Sequence, residues 1–396
     1  MLRVGVGQSS NPSGERAAEE ATAKAMAQAG SAQADCVLVF FTVDHVRDCG
    51  KLLSVIRRLA GTERIVGCSG AGILTDEGEI EGSGGLAVLV LASDSIESRP
   101  FLFHPVRDRD GEAGAEISRI ITGVTAENSL LVLLPDGTNG RPRPLFDRIE
   151  EEVGFLPIVG AGSSESGAQG ATFQVCGERV TSNAVAGLWL GGLFESSIGI
   201  TQGCQPITEP MVITRAEGNF ILEIDHRPAF ESLAAILKGP LLTDLRRALA
   251  FVFIGLPADP RHNSIAAGRY LVRNIVGLDP EKGILAVAEE VFEGEQMVFT
   301  LRDPQRARED LKQMLGRQSK NLAGKRPRLG LYFNCCARGT SLYGIPGIDT
   351  AYIRQTLGDF PLIGFFGNFE LAPLEQRNHL LAYTGVLALI TESFHA

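Results

Sequence analysis

The 396-residue sequence lacks both a long apolar run and a targeting segment. Its most apolar stretches, GGLAVLVLAS and YTGVLALI, are about half the roughly 20 residues that a membrane-spanning helix requires. The N-terminus, MLRVGVGQSS, has no apolar core of the about 7 to 15 residues that signal peptides carry. We therefore expect a cytoplasmic protein with no membrane partner.

An excess of positive charge is also absent. Lys and Arg number 37 against 47 Asp and Glu, which gives a net charge of −10 and a pI of about 5.3. A protein with this balance has no general attraction for nucleic acids or anionic lipids. We expect no nucleic-acid partner.

Motifs for metals and cofactors are missing as well. The seven cysteines form no paired C-x-x-C pattern, and neither H-E-x-x-H, an EF-hand loop nor a P-loop occurs. The runs GVGQSS and GAGSSE each lack the third glycine of a dinucleotide-binding turn. We expect free thiols in a reducing compartment, no metal site and no cofactor.

What the sequence does contain is one plan repeated three times. An apolar strand is followed by a helix-like stretch, a second short strand, a glycine-rich turn and, about 20 residues later, a further apolar strand. The first strands lie at 35–41, 129–137 and 328–335, and the glycine-rich turns end the stretches RIVGCSGAG (64–72), LPIVGAGSSES (156–166) and FPLIGFFGNFE (360–370).

This pattern predicts an α/β protein in which repeated strand-helix-strand units form mixed sheets. Outside the repeats, residues 14–29 and a segment capped by Asp303 are expected to be helical, and a further helix should start near Pro228. Because residues 202–230 carry no helical pattern, we place a domain boundary near residue 220, between domains 1–219 and 220–396.

The glycine turns are the leading candidates for a binding site, since ligands of open α/β sheets gather beyond the carboxyl ends of the strands. The alternative is that each glycine only closes a tight connection between strands. If the repeats converge, one concave surface would be lined by Cys68, Ser69, Ser163, Ser164, Glu165, Cys335, Arg338, Asn368 and Glu370.

An enzymatic reading of the same residues has little support. The run GCSGAG misses the G-x-S-x-G nucleophile elbow because Ala71 stands at the final glycine, and the residues that follow indicate a hairpin. None of the six histidines lies in a glycine turn. Cys68 and Cys335 are nucleophile candidates or small buried residues, and Arg338 could bind a ligand carboxylate or form an internal ion pair, for instance with Glu370.

The C-terminal half resembles a known family. NCCARGTSLYG, FPLIGFFGNFELAP and NHLLAYTGVLALI are similar to the Cys-x-Gly-Arg-Gly, Gly-Phe-Phe-x-x-Gly-Glu and Tyr-Thr signatures of the FIST C domain, and VGCSGAG resembles the Gly-Cys-Ser turn of the FIST N domain. The resemblance extends over nearly the whole chain. It implies two FIST-type subdomains packed together, FIST N-like over 1–219 and FIST C-like over 220–396.

The family is regarded as a sensory, small-ligand-binding module of intracellular signalling, with amino acids among the proposed ligands. The resemblance therefore implies a small-molecule ligand and a separate signalling partner. Its motifs add Gly67 and Gly339 to the candidate ligand-binding residues and extend to Gly364 and Gly367 in the last turn.

Three positions depart from the family pattern. Ile73 stands where the family often has Glu, Phe369 replaces a Gly, and Leu381 falls where a His commonly precedes the Tyr-Thr pair. These changes indicate a smaller or more apolar pocket. Three functions remain open: a ligand-binding sensor, which we favour; a hydrolase or lyase using Cys68, Ser69 or Cys335; and a scaffold that binds the tail of another protein.

Overall fold

Three repeats of one plan make up most of the chain in the computed structural model, which describes residues 2–122, 128–167, 170–239, 244–258, 265 and 269–393. In each repeat an edge strand leads through a helix to a central strand. A second helix then leads to a strand parallel to the central one, and a β-hairpin precedes a last strand that is antiparallel to it. The repeated strand-helix-strand plan predicted from the sequence is confirmed.

The first repeat shows how the local sequence forms these elements. Its second helix buries an apolar face that includes Leu52, Leu53 and Ile56, and it ends at Gly61, whose φ of 69° is a left-handed conformation that favours glycine. The elements are β1 (Leu2–Ser9), α1 (Gly14–Ala29), β2 (Cys36–Thr42), a 3-10 helix (Val43–Asp48), α2 (Cys49–Ala60), β3 (Ile65–Gly70), the hairpin β4 (Gly72–Thr75) and β5 (Gly78–Glu81), and β6 (Leu86–Ser93).

The second repeat follows directly. Its second helix starts with a proline at the first helical position, where the missing N–H is not needed. The elements are β7 (Ile96–Phe103), α3 (Asp110–Ile121), β8 (Asn128–Pro135), α4 (Pro142–Val153), β9 (Ile158–Ala161), the hairpin β10 (Gln174–Cys176) and β11 (Arg179–Thr181), and β12 (Val185–Gly192).

The third repeat is interrupted after its edge strand by a separate sheet. The elements are β13 (Phe194–Gln202), then β14 (Cys204–Pro206), β15 (Met211–Glu217), β16 (Phe220–Ile224), β17 (Arg227–Pro228), α5 (Ala229–Ile236), α6 (Leu245–Ala248), β18 (Val252–Pro257), β19 (Tyr270–Arg273), β20 (Ile275–Asp279), β21 (Ile284–Val287) and β22 (Gln296–Arg302). The strand order in the separate sheet is β19-β18-β22-β15-β16-β21-β20, with β14 paired to β22 and β17 to β16.

The repeat then resumes with the helix predicted after Asp303. The Asp303 carboxylate accepts the backbone N–H of Arg306 at 2.8 Å, which is the expected N-terminal cap. The elements are α7 (Pro304–Asn321), β23 (Leu329–Cys335), α8 (Thr340–Tyr343), α9 (Ile348–Leu357), β24 (Leu362–Gly367), the hairpin β25 (Glu370–Leu374) and β26 (Arg377–Leu381), and β27 (Thr384–Glu392).

Each repeat gives its hairpin to the sheet of another repeat. The sheets run β1-β6-β2-β3-β10-β11, β26-β25-β9-β8-β12-β7 and β13-β27-β23-β24-β4-β5. The hairpin of the second repeat therefore joins the first sheet, that of the third joins the second sheet, and that of the first joins the third sheet. This cyclic exchange makes all three glycine turns cross from one sheet to another.

A glycine occupies the same register position in each parallel strand. A Cβ added at Gly67, Gly160 or Gly364 would lie 1.7, 1.9 or 1.6 Å from a carbonyl oxygen of the neighbouring central strand. No side chain fits at such a distance, so these glycines are required by the close approach of two strands. They support the alternative that part of the glycine pattern closes strand connections.

The chain forms two compact units. One comprises residues 1–200, 311–380 and 384–396 and contains the three repeats, and the other comprises residues 201–310 and 381–383. In the first unit the helices of each repeat pack on its own sheet, and in the second unit Ile213, Ile254 and Phe299 belong to one apolar core. The boundary near residue 220 stays a prediction.

Candidate functional site

The three glycine turns meet and bond to one another through their backbones. The Ser164 N–H donates to the Ser69 carbonyl at 3.1 Å, and the Ala71 N–H donates to the Phe366 carbonyl at 3.1 Å. Gly162 completes the set, because it donates to Phe369 and accepts from Asn368, each at 2.9 Å. The candidate residues of all three turns are thus brought together, but largely as partners of one another.

Two of the candidate serines use their hydroxyl groups in these connections. The Ser69 hydroxyl donates to the Ser164 carbonyl at 3.0 Å and accepts the Phe173 N–H at 3.0 Å. The Ser164 hydroxyl accepts the Ala71 N–H at 2.8 Å and donates to the Phe366 carbonyl. Both side chains are buried, so they stabilise the junction of the turns.

Ser163 is bonded within the second repeat. Its hydroxyl contacts the Pro135 carbonyl at 3.1 Å and the Thr172 hydroxyl at 2.9 Å, and it accepts the Gln174 side-chain N–H at 2.6 Å. The side chain is buried. Ser163 therefore holds the β10 hairpin against the end of β8.

Cys68, Glu165 and Asn368, one candidate from each turn, lie in different surroundings. Cys68 is fully buried on β3, and burial raises the pKa of its thiol well above the ordinary value. Glu165 is half-buried and accepts the Gly170 N–H at 3.2 Å. Asn368 is exposed and donates to the Gly137 carbonyl at 2.8 Å. A thiol with a raised pKa is a weak nucleophile, so Cys68 is a core residue.

A buried carboxyl group occupies the third turn. Glu370 is 0% exposed, and its Oε2 accepts the backbone N–H and the hydroxyl of Thr384 at 3.1 and 2.7 Å. Burial raises the pKa of Glu370 well above its usual range, and the neighbouring Cys335 thiol adds to the rise. Glu370 consequently holds its proton to a higher pH than an exposed glutamate does.

Arg338 lies in a different buried group. Its Nε and Nη2 contact the two Asp349 oxygens at 3.1 and 3.2 Å, and Nη2 donates to the Tyr343 hydroxyl at 2.7 Å. The same carboxylate accepts the Tyr332 hydroxyl at 2.8 Å and the Asn334 amide at 3.1 Å. The internal ion pair expected as the alternative for Arg338 therefore forms with Asp349 rather than with Glu370.

Two polar atoms of this group have no hydrogen-bond partner among the residues that the structure describes. They are Arg338 Nη1 and Asn334 Oδ1, and both side chains are fully buried. Burial alone would lower the pKa of Arg338, but Asp349 and the nearby tyrosines raise it well above the ordinary value. The guanidinium is therefore charged, and one of its nitrogens lacks an acceptor within the described ranges.

Comparison with known proteins identifies the family. The FIST N domain model matches residues 35–227, and the FIST C domain model matches residues 229–373. The chain belongs to the FIST family. An uncharacterized protein of Mycobacterium tuberculosis is 29% identical over 391 residues, covering 99% of this chain and 100% of the relative. A second, from Mycobacterium bovis, is 28% identical over 396 residues, with 99% of each chain covered.

Solved structures also match over the full length at low identity. A cyanuric acid hydrolase from A. caulinodans has a TM-score of 0.40 at 9% identity, with 100% of each chain covered. A second cyanuric acid hydrolase has a TM-score of 0.32 at 11% identity, with 99% of this chain and 100% of the other covered.

The position of Glu370, which belongs to the FIST C signature, has an equivalent in each of the other two repeats. Ile73, Gln174 and Glu370 occupy the same register, each one residue before the partner of a strand glycine in the exchanged hairpin. Gln174 Oε1 accepts the Ala184 N–H at 3.3 Å, as Glu370 accepts Thr384. The Ile73 departure from the FIST pattern thus removes the polar group from one of three equivalent positions.

The candidate residues Cys335 and Arg338 of this FIST protein lie in separate buried groups. Cys335 contacts Glu370, whereas Arg338 and the neighbouring Asn334 contact Asp349. Asn334 and Cys335 differ in this way because side chains alternate along β23. Gly339, which follows Arg338 and precedes helix α8, has a φ of 55°. Asp349 was not predicted from the sequence; its signal is an acidic residue in the first turn of a helix, 11 residues after Arg338.

Neither a metal cluster nor a membrane span is found in the part of the chain that the structure describes. Within those ranges, no group of three or more His, Cys, Asp and Glu side chains could hold a metal ion. Among the described helices, none combines the length and the apolar character needed to cross a bilayer.

Proposed function

We propose that this FIST protein is an intracellular sensor that binds a small ligand, an amino acid or a similar metabolite with a carboxylate, and signals through a separate protein partner. Membership of the FIST family supports the sensory role. The observation that carries the ligand class is Arg338 Nη1, a fully buried cationic nitrogen with no acceptor among the described residues.

The unpaired nitrogen of the guanidinium gives a ligand carboxylate its binding energy. Leaving a buried donor unpaired costs about 1–3 kcal/mol, and more for a charged group. Asp349 and Tyr343 already bind Nε and Nη2, so they fix the guanidinium plane and leave Nη1 for another acceptor. A ligand carboxylate would supply that acceptor with a charge-assisted hydrogen bond.

A panel of amino acids, each paired with the amine that lacks its carboxylate, tests this proposal by thermal shift and calorimetry. We expect acids of the correct size to stabilise the protein by about 2.7 kcal/mol at a hundredfold excess over the dissociation constant. Their amine counterparts should have no effect. The proposal fails if no acid stabilises the protein or if acid and amine are equivalent.

Two variants locate the ligand. Arg338→Lys keeps a charge beside Asp349 but loses the planar group, so it should lose binding at least tenfold. Tyr343→Phe removes one of the two acceptors of Nη2 and should keep binding, because Asp349 still holds the guanidinium. Unchanged binding by Arg338→Lys would contradict the assignment. If this variant does not fold, the acid and amine pairs on the wild-type protein still decide the question.

A cysteine-dependent hydrolase or lyase is the second candidate, and the contact between Cys335 and Glu370 favours it over a serine enzyme. A neutral Glu370 can donate a proton to a leaving group but cannot accept one from the thiol. Labelling with iodoacetamide separates the two proposals. Fast labelling of buried Cys335, blocked by a substrate, would support the enzyme, whereas labelling of exposed Cys336 first would support the sensor.

A further inference from the structure

A short segment between β23 and α9 covers the Arg338 group. Residues 339–347, here called the lid segment, contain the one-turn helix α8 and Ile345, which is 54% exposed. Gly339, Gly344 and Gly347 have φ values of 55°, 75° and 77°. Glycines with a positive φ therefore lie at both ends of the segment, where a change of backbone angles would move the segment as a rigid body.

The lid segment contacts the guanidinium directly. Tyr343 accepts the 2.7 Å hydrogen bond from Arg338 Nη2, and its ring centroid lies 5.8 Å from the guanidinium carbon. Arg338 itself is 0% exposed. A ligand can reach Nη1 only if a covering element moves, and the lid segment is the cover whose ends carry glycines in a left-handed conformation.

Two carboxylates on β5 hold the lid segment in place. Glu81 accepts the Thr340 backbone N–H at 2.9 Å and the Thr340 hydroxyl at 2.7 Å. Glu79 accepts the Gly347 N–H at 2.8 Å, the Thr350 N–H at 3.3 Å and the Thr350 hydroxyl at 3.1 Å. Each end of the lid segment is therefore bound to one glutamate of the β4–β5 hairpin. The first repeat gives this hairpin to the sheet that contains β23.

We propose that the lid segment opens to admit the ligand to Arg338, with Glu79 and Glu81 as the two latches that hold it closed. The role of the opening rests on the proposed ligand site, whereas the motion itself does not. Thr340 and Gly347 leave their carboxylates when the lid segment opens, and Tyr343 leaves Arg338, which stays paired with Asp349.

The charges around Glu79 make the latch sensitive to pH. Burial raises the pKa of Glu79 to about 7, and the negative charges of Asp349 on α9 and Glu81 on β5 add to the rise, while the N–H groups of Gly347 and Thr350 oppose it. The charge of Asp349 is itself balanced by Arg338. A neutral Glu79 favours the closed form, so opening becomes easier as the pH rises.

The size of this effect follows from the two pKa values. If opening returns Glu79 from about 7 to its ordinary value of 4.5, the equilibrium constant for opening increases about tenfold between pH 6 and pH 8. It changes little above pH 8, because Glu79 is by then ionised in both forms. The closed form of the lid segment therefore becomes less stable as the pH rises. A carboxylate whose pKa is lowered in the closed form would have the opposite effect.

Hydrogen exchange of residues 339–350, corrected for the intrinsic pH dependence of exchange, measures the opening without any ligand. In the wild type, the protection factors of the Gly347 and Thr350 amides should fall about tenfold from pH 6 to pH 8. Glu79→Gln should remove this pH dependence. Glu81→Gln is the matched control, since it releases the Thr340 end of the same segment and should lower protection. It should keep most of the pH dependence, because Glu81 is the smallest of the contributions to the pKa of Glu79.

The proposal is overturned if the lid segment is as protected as β23 at both pH values, since the segment would then open only with the whole unit. It is also overturned if Glu79→Gln keeps the wild-type pH dependence. A mobile, latched lid segment together with a failed ligand panel would refute the proposed ligand and leave the motion standing. A rigid lid segment with a positive panel would refute only the lid.

Discussion

Two equivalent buried positions, one occupied by Glu and one by Gln, should differ in how they make the free energy of unfolding depend on pH. Glu370 of the third repeat accepts the backbone N–H of Thr384, and Gln174 of the second repeat accepts that of Ala184. The two donors are equivalent, each at the start of the last strand of its repeat. Burial raises the pKa of Glu370 well above its ordinary value. Glu370→Gln keeps the shape of the neutral acid, and Gln174→Glu places a titratable group in its counterpart.

The size of the effect follows from proton linkage. Above the unfolded pKa of 4.5 and below the native pKa of Glu370, the native state binds one proton more than the unfolded state. The free energy of unfolding of the wild type therefore falls by about 1.4 kcal/mol per pH unit from this group alone. Glu370→Gln should lack this slope, so its stability relative to the wild type should increase by about that amount per pH unit between pH 4.5 and the native pKa of Glu370.

Trp189 makes the measurement specific to the unit that holds both positions. It is the single tryptophan of the chain, it is 0% exposed, and it lies on β12 within the unit of the three repeats. Urea unfolding followed by its fluorescence from pH 5 to pH 8 gives the difference between variant and wild type. A difference that does not change with pH would refute the buried neutral acid.

Gln174→Glu supplies the reciprocal control. The new side chain should be tolerated as a neutral acid at pH 5, where its hydroxyl can donate to Ser163 in place of the amide, and should destabilise the unit increasingly as the pH rises. A Gln174→Glu variant with no pH-dependent loss would show that the two positions are not equivalent.

Two further perturbations test the architecture. Ser164→Ala removes the hydroxyl that joins Ala71 to Phe366, so the unfolding free energy should fall by about 2 kcal/mol, whereas exposed Ser166→Ala should change it little; equal effects would contradict the role of Ser164 in the junction. Replacing 203–303 by a linker of the length of 104–109 should leave a folded three-repeat protein with buried Trp189 fluorescence, because that segment connects the equivalent strand and helix in the second repeat; an unfolded product would show that the repeats require the inserted sheet.

The sequence was sufficient to predict the repeated plan because each strand and helix carries its own local signal. Segment 14–29 is helical over its full predicted length, and the residues after Gly72 form the hairpin that argued against a nucleophile elbow. The interruption of the third repeat could not be predicted, because runs such as LAFVFIGLP show that strands form but not that they belong to a separate sheet.

The pairing between repeats could not be predicted. Local patterns show that a hairpin forms but do not tell which sheet edge receives it, because edge pairing depends on contacts distant in sequence. The partner of Arg338 was missed for the same reason: Asp349 and Glu370 both follow it, and only the fold decides between them. The neutral state of Glu370 depends on burial, which appears only once three turns meet.

The most direct test of the proposed function is a crystal structure of the protein purified from its native host without added ligand. The proposed function predicts density for a small molecule with an acceptor oxygen within hydrogen-bond distance of Arg338 Nη1, in a chain whose Asp349 and Tyr343 contacts are intact. A structure in which Nη1 instead bonds to a protein carbonyl or to an isolated water would contradict it.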